Sequence, residues 1–332
     1  MKQDIIKQFR KVPGLEMSDD GQMTRMPLSS ENHKEPGQLI TVFPGDGILF
    51  NMIDIKSSTI PGFVEDPIGE TKELKINYCA SGRCELKLKT GECTYLAAGE
   101  IAMDAGQALN TYFYPLGEYR GFEVIVSMEH TGDRRILGER LAVPGMLYDA
   151  CAVNDRPWIR NAGKFLPGFY EVFSYYIGEG FGADLIYVKC VELLTYLSKL
   201  DFEQAQLKRT YYTASQVEIA KKTKEILASD LTRRFTAREL AGQFGVSETS
   251  LKNYFRSVFG CGYAEYQQTL RMRTAAALLR DTDEKIAAIA GAVGFATQAK
   301  FGAAFKECYG VTPLEYRRQG KLNMLQEGGD RR

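Results

Sequence analysis

Histidine is scarce, with His33 and His130 alone in 332 residues, and the seven cysteines (Cys79, Cys84, Cys93, Cys151, Cys190, Cys261, Cys308) include no C-x-x-C pair. Metal centres need three or four converging nitrogen, sulfur or carboxylate ligands. No metal and no cofactor are therefore expected. An odd number of scattered thiols argues for reduced cysteines packed as small hydrophobes rather than a disulfide framework. Long apolar runs are also missing. The opening MKQDIIKQFRKVPGLE carries charges through its apolar positions and lacks the apolar core of an export signal, and no later stretch has the length of a membrane span. A cytoplasmic protein without a membrane partner is the expectation.

Net charge is absent as well, since 42 basic residues balance 42 acidic ones. The balance hides an asymmetry. Gln216 to Gly320 carries about five excess positive charges, which suits a phosphate-bearing partner, and the remainder is correspondingly acidic. Hydrophobic residues at 44% and charged residues at 25% are ordinary for folded domains, and the length suggests two of them with a connection.

The basic third contains an internal repeat. LAGQFGVSETSLKNYFRSVFGCGYAEY (Leu240 to Tyr266) lies over IAGAVGFATQAKFGAAFKECYGVTPLEY (Ile289 to Tyr316), about fifty residues on, a period typical of duplicated supersecondary units. Each copy reads as a short helix, a glycine turn and a second helix. Thr236 and Glu239 form a capping box ahead of Leu240, Ala241 and Phe244, and Gly245 ends the helix in a left-handed conformation. Ser247 caps the next helix. Its apolar stripe of Leu251, Tyr254, Phe255 and Val258 leaves Glu248, Thr249, Lys252, Asn253 and Arg256 outward.

The second copy repeats the plan. Ile286, Ile289, Ala290 and Val293 face inward, Gly294 turns the chain, and Thr297 starts a helix anchored by Phe301 and Phe305, with Gln298, Lys300, Ala303 and Lys306 outside. Ala241 and Ala290 let the paired helices cross closely, and the second helix of each unit projects in the geometry that enters a major groove. Ala264 to Arg280, rich in strong helix formers, reads as a stiff helix between the units.

These features, above all IAAIAGAVGFATQAKFGAAFKECYGVTPLEYRR (Ile286 to Arg318), closely resemble the DNA-binding domain of AraC/XylS-family transcription regulators over the last third of the chain. The resemblance implies two helix–turn–helix units in adjacent major-groove segments of double-stranded DNA, and RNA polymerase as a further partner. Carried over by position, base-facing sites fall on Thr249, Lys252 and Asn253 in the first unit. In the second they fall on Gln298, Ala299, Lys300 and Ala303. Lysine can reach guanine, asparagine can pair with adenine, and threonine can touch a thymine methyl, whereas alanine offers only apolar contact. Family members commonly carry arginine where Ala303 stands. Most base discrimination is therefore expected from the first unit, with Ser247, Arg256, Thr297 and Lys306 on phosphates.

Upstream the period changes to two. LKINYCASGRCELKLKTGECTYLAAGEIAMDAG (Leu74 to Gly106) alternates apolar residues between Ser81-Gly82, Thr90-Gly91 and Ala98-Gly99, a series of hairpins. Evenly spaced short strands suggest a barrel or jelly roll, and the Gly99-Glu100-Ile101 rhythm resembles cupin-like sensor domains. Such a domain implies a pocket for a small-molecule effector. Arg83, Tyr112, Tyr114, Arg120 and Glu123 are the candidate contacts on these strands. Ala183 to Asp201 reads as a helix apolar around much of its circumference, and Leu185, Val188, Val191 and Leu194 are candidate homodimer contacts.

The expected architecture is multidomain α+β: a cupin-like barrel over residues 1–130, a helical coupling and dimerisation region over 131–215, an all-α domain with two helix–turn–helix units over 216–320, and a tail over 321–332. EQAQLKRTYYTASQ reads as a polar linker. The function expected is sequence-specific, effector-controlled transcription regulation without enzymatic activity. A cupin-type enzyme fused to a DNA-binding module is the alternative, and a DNA-repair protein accepting alkyl groups on an activated cysteine is a third reading.

Overall fold

In the computed structural model the described residues are 16–18, 21–30, 33–45, 47–59, 72–109, 113–129, 142–153, 155–202 and 209–319. The chain divides into two compact units, Met1–Ala214 and Ser215–Arg332. No helix among the described residues is long and apolar enough to cross a membrane.

The first unit is built on an antiparallel sheet. Its strands are β1 (Glu16–Met17), β2 (Met23–Ser30), β3 (His33–Gly45), β4 (Ile48–Ile55), β5 (Glu73–Lys87), β6 (Cys93–Ala97), β7 (Glu100–Asp104), β8 (Tyr119–Ser127) and β9 (Trp158–Asn161). They lie in the order β1-β2-β3-β4-β8-β5-β7-β9, with β6 hydrogen-bonded to β5. A register shift between Cys79 and Ser81 divides β5. Its first half is flanked by β7 and β8, and its second half pairs with β6.

Both faces of this sheet are covered. One carries Ile40, Phe50, Ile76, Tyr78, Phe122 and Val124 against the helices α1 (Val143–Ala152), α2 (Leu166–Gly178) and α3 (Ala183–Leu197), with Phe173 and Leu194 in the same core. The other gathers Met26, Leu39, Ile53, Cys84, Tyr114, Tyr119 and Ile159. Double coverage explains why β4, ILFNMIDI, is almost wholly buried and does not alternate. Although β9 falls in the stretch read from the sequence as helical, it joins the sheet through β7, with Ala102 opposite Ile159.

The polar stretch leading out of this unit is not free either. Tyr212 exchanges two backbone hydrogen bonds with Cys93 (2.8 and 2.9 Å), so it extends the sheet at β6. Arg209 pairs with Glu100 at 2.5 Å, and the Arg156 guanidinium lies 4.0 Å over the Tyr211 ring.

The second unit is all-helical: α4 (Ala214–Ser229), α5 (Ala237–Phe244), α6 (Glu248–Phe259), α7 (Tyr263–Asp281), α8 (Ile286–Ala292) and α9 (Gln298–Tyr309), with residues 313–319 also helical. Its helix starts use carboxylate caps. Glu239 accepts from the Thr236 backbone N–H (2.8 Å) and hydroxyl (2.9 Å), and Glu315 accepts from Thr312 in the same way (2.8 Å each). Each carboxyl is held below the ordinary 4.5 chiefly by that backbone hydrogen bond, although both side chains are solvent-exposed. A depressed folded-state pKa contributes stability above the unfolded value and loses it as pH falls through the folded one. Thermal melts should therefore show the second unit weakening below about pH 4.5, and Thr236→Ala should shrink that acid limb. An unchanged acid limb would show that the cap contributes nothing to it.

Candidate nucleic-acid interface and inner cavity

Each repeat forms two helices joined by a left-handed glycine. In the first, Thr236 completes the capping box, Gly245 ends α5 at φ 64°, and Ser247 caps α6 by accepting from Ser250 N at 3.0 Å. Leu251, Phe255, Val258 and Phe259 are buried along α6. The Phe255 and Phe259 rings lie tilted to one another 4.5 Å apart and meet Tyr266 of α7 at 5.5 and 5.1 Å. In the second, Gly294 turns at φ 81° and Thr297 accepts from Lys300 N at 3.3 Å. Phe301 and Phe305 are buried, in one core with Met272, Ala275 and Leu279 of α7. The connecting helix thus floors the second unit.

Anchoring one face by aromatics leaves the other in solvent. Thr249, Lys252, Asn253 and Arg256 are all exposed on α6, and Gln298, Ala299, Lys300, Ala303 and Lys306 are all exposed on α9. Ser247 and Thr297 are exposed, but their oxygens are engaged as helix caps, and the Ser247 hydroxyl donates to Ser250 Oγ at 2.9 Å. One acidic side chain shares the first face. Glu248 lies 3.7 Å from Lys252, a solvent-exposed pair of small energetic weight that a phosphate or base edge can displace.

The two faces differ in chemistry. That of α6 carries an amide, an ammonium, a guanidinium and a hydroxyl, while alanines occupy Ala299 and Ala303 on α9. Base edges are discriminated by donor and acceptor pattern, so the α6 face can read more than the α9 face.

In the first unit the sheet register assembles a polar row. Thr41, Asn51, Glu123 and Asn77 stand opposite one another across β3, β4, β8 and β5. The Thr41 hydroxyl donates to Asn51 Oδ1 (2.7 Å), Asn51 Nδ2 donates to Glu123 (3.0 Å), and the Tyr119 hydroxyl donates to Asn77 Oδ1 (2.6 Å). Lys75 stands opposite Asp104 one row along. Beside these rows is a cavity of about 50 Å³, with Lys75, Asn77, Glu85, Asp104, Tyr114 and Glu123 among its walls. Burial raises the Glu123 and Asp104 carboxyls, against the Asn51 hydrogen bond on the first and three backbone N–H groups on the second.

Of the five residues picked from the sequence for an effector, Tyr114 and Glu123 line this cavity. Arg83 is half-buried over the Tyr95 ring at 5.3 Å and Arg120 is exposed, neither of them in the wall, while Tyr112 lies outside the described residues. The sequence reading missed Lys75, Asn77, Glu85 and Asp104, which sit in strands that look one-sided. Of the dimer candidates, Leu185 and Val188 are exposed at 40% and 60%, Val191 is half-buried, and Leu194 is wholly buried in the chain's own core. The exposed part of that stripe is therefore Leu185 and Val188, and Tyr175 and Phe181, whose rings lie 5.9 Å apart, are exposed as well.

Buried thiols here are poor nucleophiles. Cys79 and Cys151 are each pushed up to about 12 by burial, and Cys84 and Cys190 are raised for the same reason. Among the described residues no three His, Cys, Asp or Glu side chains are grouped to hold a metal ion.

A family model described as a helix-turn-helix domain matches residues 240–319. An AraC-like transcription regulator of Streptomyces lividans is 34% identical over 92 residues, 28% of this chain and 30% of its own length. The transcription factor PqrA of Proteus vulgaris is 34% identical over 83 residues, 25% of this chain and 68% of PqrA. Transcriptional activator AggR of Escherichia coli is 27% identical over 248 residues, 72% of this chain and 88% of AggR. The alignment with the Streptomyces relatives thus spans under a third of their length.

Proposed function

We propose, from the premise that the chain belongs to the AraC family of helix–turn–helix proteins, that it is a sequence-specific transcription regulator acting on double-stranded DNA in the cytoplasm. The observation that carries this reading is the pair of repeats, each anchored by buried phenylalanines and each leaving a projecting helix with exposed polar or basic side chains. Thr249, Lys252 and Asn253 are assigned to base edges, with Gln298 and Lys300 as weaker readers. Ser247, Arg256, Thr297 and Lys306 are assigned to phosphates. Regulation here is binding rather than catalysis. The raised pKa values of Cys79, Cys84, Cys151 and Cys190 speak against an alkyl acceptor at those four positions.

The first unit is read as a sensor whose cavity takes a small molecule, with RNA polymerase as a further partner of the whole protein. A ligand can alter DNA affinity only through different affinities for two states of the protein. The strap from Arg209 to Tyr212 offers a place for that difference, because it is pinned to β6 immediately before α4 begins. Leu185 and Val188, with Tyr175 and Phe181, are read as a surface for a second copy.

Selection of bound sequences from a random duplex pool by the full chain tests the reading. The expected outcome is a consensus whose positions cluster about one helical turn apart, in paired copies if the chain acts as a dimer. Affinity should fall linearly with the logarithm of salt concentration as counterions are released. A pool that stays random at low salt would end the regulator reading, and unpaired sites would end the dimer.

A further inference from the structure

The cavity in the first unit has a wall whose chemistry is specific. Three carboxylates, Glu85, Asp104 and Glu123, face one ammonium, Lys75. Asp104 has its acceptors engaged by the backbone N–H groups of Gly106, Gln107 and Ala108 at 3.0 to 3.1 Å, and it stands across from Lys75. Glu85 accepts from the Tyr95 hydroxyl at 2.7 Å. Among the described residues Glu123 accepts from Asn51, and a carboxylate can accept up to about four hydrogen bonds.

The direction of these hydrogen bonds matters. Asn51, Tyr119 and Tyr95 donate to the wall side chains Glu123, Asn77 and Glu85 respectively, and Thr41 donates to Asn51 behind the wall, so the Thr41–Asn51–Glu123 row ends in an acceptor. Burial favours the neutral forms of Glu123 and Asp104, and a bound cation would stabilise the ionised ones. Lys75 is the one cationic side chain among the residues lining the cavity.

We infer that this cavity binds a small organic cation with N–H donors, a guanidinium or primary ammonium group, held by Glu123 as the principal acceptor. The inference rests on reading the first unit as a sensor only for its consequence at DNA, not for the binding itself. Size supports the class. A cavity of about 50 Å³ accommodates roughly three to five water-sized groups, which is the scale of a guanidinium head. An anion would meet three carboxyl groups against one ammonium. A bare metal ion is disfavoured because no three ligating side chains among the described residues converge. Ile53, Ala102 and Leu86 give the remaining wall an apolar character suited to the stem of such a ligand.

The test is calorimetric titration of the full chain with methylguanidinium and methylammonium, beside methylurea, which has the shape of the first without its charge. Saturable binding of a cation below ~10 mM is expected, with methylurea silent over the same range. Glu123→Gln should weaken the cation by about tenfold or more, because a charge-assisted hydrogen bond becomes one to a neutral acceptor. Ala108→Leu, which fills the cavity without altering its charge, should abolish binding, and it keeps the test open should the first variant fold poorly. Equal binding of methylurea, absence of binding by both cations, or cation binding indifferent to both substitutions would each overturn the inference. DNA affinity in the same samples separates the two readings. A cation that binds and leaves DNA affinity unmoved refutes the sensor while the cavity assignment stands. If a neutral or anionic compound shifts DNA affinity where the cations do not bind, the sensor stands and the cation assignment falls.

Discussion

Gly294→Ala is expected to destabilise the second unit by ~2–5 kcal/mol, whereas Gly245→Ala, at the matching turn of the first repeat, should cost only ~1 kcal/mol. Both glycines are left-handed, at φ 81° and 64°, so both alanine variants bear the penalty of that conformation. Their surroundings differ. A Cβ on Gly245 meets nothing within 4 Å, while one on Gly294 runs into the carbonyl oxygen of Leu231 and lies 3.1 Å from the Arg271 guanidinium carbon. Backbone cannot swing aside as a side chain can, and Arg271 is itself fixed by donating to the Arg233 carbonyl at 3.0 Å. At about 4–8 °C per kcal/mol for a domain of this size, thermal melts of the two full-length variants should be well separated. Gly294 lies three residues before Thr297, the cap of α9, so Gly294→Ala should also weaken DNA binding more than Gly245→Ala does. Equal melting temperatures would mean that the Leu231 loop yields freely, and that the second turn is not braced.

How far the sequence discloses this architecture follows from which interactions are local. The repeats are legible because their determinants lie within a few residues: the Thr236–Glu239 box, the glycine turns, and the spacing of Leu251, Phe255 and Val258. Phe244 is a small exception, half-buried at the end of α5 rather than in the core. Alternation is visible only from Leu74 onward, whereas β2, β3 and β4 occupy Met23–Ile55. β3 and β4 escape the pattern because burial on both faces turns alternation into runs such as ILFNMI, while β2 alternates only over the short stretch Thr24 to Leu28, with Arg25 and Pro27 exposed. The inner wall is hidden for a different reason. Asn51 and Glu123 lie 72 residues apart and meet because β8 inserts between β4 and β5, a placement that no local pattern encodes. Lys75, Glu85 and Asp104 look like a solvent face until the second layer is known. The strap at Tyr212 is hidden likewise, since its partner Cys93 is distant in the chain.

Asn253→Ala should relax the preference at one base pair by ~1–3 kcal/mol, and Lys252→Ala should do so at a second, with little change elsewhere in the site. Asn253 and Lys252 are exposed on a helix held by Leu251, Phe255, Val258 and Phe259, all buried, so truncating either side chain removes a reader without moving its platform. Lys252 has a further feature, the Glu248 carboxylate at 3.7 Å. That contact is solvent-exposed and is surrendered cheaply when the ammonium turns to a base. Glu248→Ala should accordingly raise affinity for all sequences slightly, by removing a like charge from the phosphates, while Lys252→Ala changes which sequences win. On α9 the parallel changes should do less. Gln298→Ala and Lys300→Ala leave a face already occupied by Ala299 and Ala303, and Lys306→Ala should weaken binding evenly and reduce the salt slope by about one. Random-pool selection with each variant measures these differences directly. If Gln298→Ala flattens its half of the consensus as deeply as Asn253→Ala flattens the other, the division of labour between the two helices is wrong, and alanine contacts or backbone shape must contribute as much reading as the polar side chains of α6.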